Sequence, residues 1–143
     1  MGTKSIREIV ESACVTHLGN QGLTTYQIEP GLSVDSLNPP FVVASAESIA
    51  PMADIAQVLG NFAVTVQVMV MTPTDDTSSL ANHRAAVEKV MSAFADVDGL
   101  KSVFTAAGDA SMYDSTFQAI DDGRGDRTFG TTVTYLIECV LAP

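Results

Sequence analysis

The stretch at residues 62–71 constrains the fold of this chain more than any other part of its sequence. Apolar residues occupy every second position, and the positions between them are only half polar. The first row consists of Phe62, Val64, Val66, Val68 and Val70, and the second of Ala63, Thr65, Gln67, Met69 and Met71. Because side chains of a strand point alternately to opposite faces, the pattern predicts a β-strand whose first row covers a core. The second row is the candidate inter-subunit surface, since a half-apolar face suits contact with a partner.

Residue periodicity and turn-forming residues predict the other elements. Apolar residues at three- and four-residue spacing predict two helices, at residues 5–18 and 78–95, and Asp98-Gly99 is expected to end the second. The predicted strands are residues 41–46, 62–71, 116–120 and 129–141, and residues 23–40 are expected to be a loop with one short extended piece at 24–28. Residues 47–60 and 100–109 are expected to lack regular structure. The sequence thus predicts a single α+β domain, residues 1–143, with an antiparallel or mixed sheet, two helices packed on one face and a long β-hairpin.

The charge of the chain limits its partners. It has 17 acidic and 7 basic residues, a formal net charge of -10, and no Lys or Arg between Arg7 and Arg84. Proteins that hold nucleic acid need cations along the phosphate-facing surface, so we expect DNA to pass this surface without binding. No apolar run approaches the ~20 residues of a membrane-spanning helix. A charged fraction of 17% indicates a surface that other subunits cover.

The residues that carry metal or nucleophilic chemistry are few. The chain has two cysteines and two histidines: Cys14, His17, His83 and Cys139. Zinc sites use ligands at short spacing, and only Cys14 and His17 are close in sequence, so a metal site is the weaker alternative. No phosphate-binding glycine loop or nucleophile elbow is present in the sequence. We expect no enzyme activity, no catalytic residue, no metal and no cofactor. Whether Cys14 and Cys139 form a disulfide depends on their geometry, which the sequence does not give.

Residues 121–126 form an acidic, glycine-containing segment before the last strand. The spacing of its acids does not fit an EF-hand calcium loop. Two glycines and three aspartates in six residues offer little to bury and much backbone entropy to lose. The segment is therefore predicted to be a mobile hairpin tip and a candidate docking loop that a neighbouring subunit orders. Its residues are Asp121, Asp122, Gly123, Arg124, Gly125 and Asp126.

The order of elements resembles a known family. An amphipathic helix comes first, followed by a strand after Pro39-Pro40 and then the valine-rich strand. The turn Thr72-Pro73-Thr74-Asp75-Asp76 leads into the second helix, and a hairpin with an apolar last strand completes the chain. In this order, over most of its length, the chain is similar to the tail terminator or tail completion proteins of long-tailed phages, the lambda type included.

This resemblance implies a virion structural protein at the tail–neck junction, assembled in the host cytoplasm. Family members form a ring, usually of six subunits, that caps the tail tube and contacts the tail tube protein and the neck or head-completion protein. If DNA passes through such a ring, an acidic wall keeps it mobile. The candidate channel-facing acids are Glu29, Asp35, Glu47, Asp54, Asp75 and Asp76. The alternatives are a small metal- or ligand-binding module and an oligomeric adaptor unrelated to phage.

Overall fold

The computed structural model describes residues 6–23, 25–27, 41–51, 61–73, 79–124 and 128–141. Within these residues the chain forms three helices and five strands. In chain order they are α1 (Ile6–Gly19), β1 (Thr25–Gln27), β2 (Phe41–Pro51), β3 (Asn61–Pro73), α2 (Ser79–Ala95), α3 (Val97–Ala107), β4 (Ala110–Arg124) and β5 (Thr128–Leu141). The α+β class predicted from the sequence is confirmed.

The strands form one mixed sheet with the order β1-β2-β3-β5-β4. β1 runs parallel to β2, and the other neighbouring strands run antiparallel. β4 and β5 form the predicted long hairpin, and β5 also pairs along the whole of β3. The two long strands β3 and β5 therefore form the centre of the sheet.

One face of the sheet carries the core. The predicted valine row of β3 is buried from Val64 to Val70, and the matching row of β5 from Val133 to Cys139 is buried with it. Phe94 of α2 stacks on Tyr135 of β5 with ring centroids 4.2 Å apart. Residues of all three helices belong to the same buried cluster, so the helices pack on this one face.

The third helix corrects the prediction for residues 100–109. α2 ends at Ala95, and the carboxylate of Asp96 accepts a hydrogen bond from the Gly99 amide (3.1 Å), which caps the start of α3. Gly99 thus lies in the first turn of α3 instead of ending α2. A Cβ at Gly99 would collide with the Asp96 carboxylate in its present orientation, so a larger residue would force that side chain to shift. The Asp98-Gly99 pair is the reason that the sequence predicted a break here.

Two strands are longer than predicted. β2 continues past Ala46 to Pro51, and β4 covers residues 110–124 instead of 116–120. Register shifts interrupt the pairing of β2 between Ala46 and Ser48 and that of β4 in two places. A β-bulge adds one residue and breaks the alternation of side chains, which is why the period-two signal failed in both strands.

Side chains of α1 close the outer edge of β2. β1 pairs only with residues 42–44 of β2. At Ala46, beyond the end of β1, the carboxylate of Glu11 accepts a hydrogen bond from the amide N–H (2.7 Å), and the Arg7 guanidinium donates to the carbonyl oxygen. Glu11 is buried, so α1 satisfies backbone groups that a strand would otherwise bind.

Candidate functional site

The sheet face opposite the helices is the candidate functional surface. No described helix packs on it, and the residues of β3 and β5 that point to it are all half-buried. We call these residues the open face: Ala63, Thr65, Gln67, Met69, Met71, Thr132, Thr134, Leu136, Glu138 and Val140. The five residues predicted as an inter-subunit surface share this face, as the alternating pattern required. Their contact with a second subunit stays a prediction.

The charged side chains of this sheet face are acidic. The pairing register places Asp114 of β4 directly opposite Glu138, and Asp121 opposite Thr132. In the described part of the sheet, the charged residues that the register assigns to this face are Asp114, Asp121 and Glu138. Like charges directly opposite one another on neighbouring strands are destabilising. The arrangement creates a negative potential over a sheet face whose other described side chains are uncharged.

Of the six candidate channel-facing acids, one lies within the described residues. Glu47 is exposed at the irregular position of β2. Glu29, Asp35, Asp54, Asp75 and Asp76 lie outside the described residues. Asp114 and Glu138 were not among the acids predicted from the sequence. The alternation of β5 is enough to assign Glu138 to this sheet face. The face of Asp114 cannot be assigned from alternation, because the register shift between Met112 and Asp114 interrupts it.

The candidate docking loop is shorter than predicted. Asp121, Asp122, Gly123 and Arg124 belong to β4 and pair with residues 129–132 of β5, so the predicted turn is wrong for these four residues. Continued backbone pairing offsets the entropy that argued for a mobile tip. The side chains of Asp121 and Asp122 are exposed. Gly125 and Asp126 lie outside the described residues.

A chain of hydrogen bonds through His83 connects α2 with three strands. Its Nδ1 lies 2.8 Å from Oγ1 of Thr72, and its Nε2 lies 2.7 Å from Oγ1 of Thr131. The Thr131 hydroxyl donates its proton to Asp122 (2.7 Å), so it accepts from Nε2–H, and Nδ1 accepts from the Thr72 hydroxyl. Burial lowers the pKa of His83, although the Asp122 carboxylate acts in the opposite direction. Both threonines are buried, so the network is a structural clamp and offers no accessible nucleophile.

An apolar groove runs between α2 and the β4–β5 hairpin. Its volume is about 560 Å³. Its apolar lining residues are Leu80, Val87, Met91, Ile120 and Phe129. Leu80 and Ile120 are each 43% exposed. Phe117, on the same face of β4, is 47% exposed. The helices therefore leave the helix-side face of the outer half of β4 uncovered.

The two histidines that could have formed a metal site have separate hydrogen-bond partners. Nε2 of His17 is bonded to the carbonyl oxygen of Ala93 (2.6 Å), while both nitrogens of His83 bond threonine hydroxyls. Cys14 and Cys139 are buried free thiols. Burial raises the pKa of Cys139 to about 11 and raises that of Cys14 further, with the Glu11 carboxylate contributing. In the described ranges, no group of three or more His, Cys, Asp and Glu side chains could hold a metal ion.

Comparison with known proteins assigns no family. The sequence matches no protein-family model, and no curated protein matches it at a significant level. Of the helices described above, none has the length and hydrophobicity required to cross a membrane.

Proposed function

We propose that this protein is a non-enzymatic tail terminator of a long-tailed phage. In this role, six copies form a ring that caps the tail tube, contacts the neck and lets DNA pass. The open face is the observation that carries the proposal. A half-apolar sheet face that none of the described helices covers suits a protein that functions between copies of itself.

Electrostatics also supports this role. The chain has a net charge of -10, and no Lys or Arg lies between Arg7 and Arg84. A phosphate that pairs with a fixed cation adds attraction that DNA must break to move. An acidic ring adds no such contact, and repulsion keeps the DNA away from its wall.

Electron microscopy and light scattering test the ring. Purified protein at high concentration is expected to form six-membered rings, and an antibody against it is expected to label the tail–neck junction of phage particles. Met69→Lys, which places a charge on the open face, should weaken ring formation. Ala85→Lys is the matched control, since Ala85 is exposed on α2, and it should leave the ring intact.

The outcomes separate the alternatives. A protein that stays monomeric at high concentration and is absent from particles would contradict the proposal. Rings that never label a tail would favour the oligomeric adaptor. A metal- or ligand-binding module would be supported by stoichiometric metal in the purified protein that is lost in a His17→Ala or His83→Ala variant.

A further inference from the structure

A second cleft lies in the helix layer, between α1 and α3. Its volume is about 640 Å³, and sites for small molecules range from a few hundred to about 1,000 Å³. The buried Ala13 of α1 and Gly99 of α3 line it, and residues this small leave space between two packed helices. Hydroxyl groups of Ser12, Thr16 and Ser102 line it as well. The cleft therefore combines space for a ligand with hydrogen-bonding side chains.

The imidazole of His17 lines this cleft and has one nitrogen to spare. The side chain is 3% exposed, yet it belongs to the cleft wall. Its Nε2 lies 2.6 Å from the carbonyl oxygen of Ala93. Because a carbonyl oxygen only accepts, Nε2 carries the proton, and Nδ1 of the neutral ring is an acceptor. Nδ1 has no hydrogen-bond partner among the described residues. A buried polar atom of this kind calls for a partner from outside the chain.

Gly99 leaves one edge of this ring uncovered. A Cβ at Gly99 would lie 3.2 Å from Cε1 of His17, which is the ring atom bonded to both nitrogens. A larger residue at this position would therefore cover that edge of the imidazole. Both residues line the cleft, so a molecule in the cleft can reach the ring edge next to Nδ1.

The charged residues that line the cleft are acidic. They are Asp96 and Asp109, and the described lining includes no Lys or Arg. One oxygen of the Asp96 carboxylate accepts a hydrogen bond from the Gly99 amide. An anion in the cleft would meet two carboxylates and an imidazole acceptor, and like charges repel each other. The cleft thus favours a cation that carries N–H donors.

We infer that this cleft binds a primary ammonium group, which donates a hydrogen bond to Nδ1 of His17. An ammonium group has three donors and no acceptor, and the carboxylates of Asp96 and Asp109 supply the negative potential that attracts it. The group belongs either to a small free amine or to a lysine side chain of a partner protein. The cleft lies in the helix layer and the open face on the other side of the sheet, so this inference does not rest on the proposed function.

The two histidines of the chain provide a test with an internal control. Nitrogen NMR spectra of the imidazole rings are recorded while putrescine is added to the protein. We expect Nδ1 of His17 to be unprotonated in the free protein and its resonance to shift until the site is saturated. Both nitrogens of His83 bond threonine hydroxyls, so its resonances should not move. A proton on Nδ1 of His17 in the free protein, or equal shifts for the two rings, would overturn the inference.

Related probes separate an ammonium site from general attraction to an acidic chain. Butanediol has the length of putrescine without its charge, and tetramethylammonium has the charge without an N–H donor. Calorimetry should show that each binds at least about tenfold more weakly than putrescine, because hydrogen bonds from charged donors are the strong ones. A blocked tripeptide with one central lysine tests the second source. Its binding would support a partner's side chain, and binding of putrescine alone would support a free amine. Tetramethylammonium that binds as well as putrescine would overturn the site.

Matched pairs of variants place the binding in the cleft. Asp109→Asn removes a charge that lines the cleft, and Asp98→Asn removes the same charge at an exposed position of α3 outside it. Ala106→Leu fills the cleft from α3, and Thr105→Leu adds bulk at its exposed neighbour outside the lining. The first variant of each pair should raise the dissociation constant for putrescine about tenfold, and the second should leave it unchanged. Far-ultraviolet circular dichroism verifies that each variant is folded. Equal constants within both pairs would overturn the inference.

Discussion

Three buried polar side chains join α1 and α2 to each other and to the sheet. His83 bonds Thr72 and Thr131, His17 bonds the carbonyl oxygen of Ala93, and Glu11 bonds the amide of Ala46. All three side chains are buried. Removal of one partner of a buried hydrogen bond leaves the other unsatisfied and costs about 1–3 kcal/mol. These residues therefore fix the positions of α1 and α2 more strictly than apolar packing alone does.

His83 should make the stability of the fold depend on pH. Its pKa in the folded protein lies below the ordinary value of 6.5 because of burial. As the pH falls through 6.5, His83 takes up a proton in the unfolded chain before it does so in the folded protein. The free energy that neutral His83 contributes to folding is therefore fully present above this pH and is lost as the pH falls below it. We expect the melting temperature to decrease between about pH 7.5 and about pH 5.

The contribution of His83 is isolated by comparison of variants. His83→Gln, which cannot be protonated, should show a smaller decrease in melting temperature over the same pH range. Asn82→Ala, an exposed neighbour on α2, should behave like the unchanged protein. An equal pH dependence in His83→Gln and the unchanged protein would show that another group is responsible.

The two thiols are expected to be unreactive in the folded protein. Burial raises the pKa of Cys139 to about 11 and that of Cys14 further, so little thiolate forms near neutral pH. Ellman's reagent should label neither thiol in buffer and both in concentrated urea. Thr116→Cys adds a thiol at an exposed position and should react at once. Rapid labelling of the unchanged folded protein would contradict the burial of the pair.

At the scale of elements, α1 acts as a substitute strand for β2. Glu11→Ala removes the acceptor of the Ala46 amide, and the unpaired N–H should lower the free energy of unfolding by about 1–3 kcal/mol. Urea denaturation measures this change through the midpoint. Glu88→Ala, at an exposed position of α2, is the control and should shift the midpoint little. Equal midpoints for Glu11→Ala and the control would mean that water replaces the carboxylate.

Sequence patterns predicted the elements that have regular periodicity. The valine row of β3, the apolar stripe of α1 and the alternation of β5 are all buried as expected. The errors lie where local chemistry breaks the period. Bulges interrupt the alternation in β2 and β4, and Asp96 and Gly99 form a helix cap that resembles a helix end in sequence. The open face was visible in the sequence, whereas the acidic pair of Asp114 and Glu138 depends on a register shift that no local pattern shows.

At the scale of the whole molecule, the three described helices pack on one side of the sheet, and none of them packs on the other. If the ring encloses a DNA path, the acids that line it should assist passage. A triple variant, Glu47→Lys with Asp75→Lys and Asp76→Lys, should assemble yet slow DNA ejection, most strongly at low salt. Ejection kinetics from purified particles measure this effect. Normal ejection from correctly assembled particles would place these acids outside the channel.

The position of β5 between β3 and β4 has a consequence for folding kinetics. The β2–β3 and β4–β5 pairs are sequence neighbours, so each can form early as a local unit. The β3–β5 ladder joins segments that are separated by α2, α3 and β4. Contacts between distant segments carry the largest loop-closure entropy and slow folding. Formation of the β3–β5 ladder, which joins the β2–β3 pair to the β4–β5 pair, is therefore expected to limit the folding rate. Substitutions in the valine row of β3 should slow refolding more than substitutions in β4.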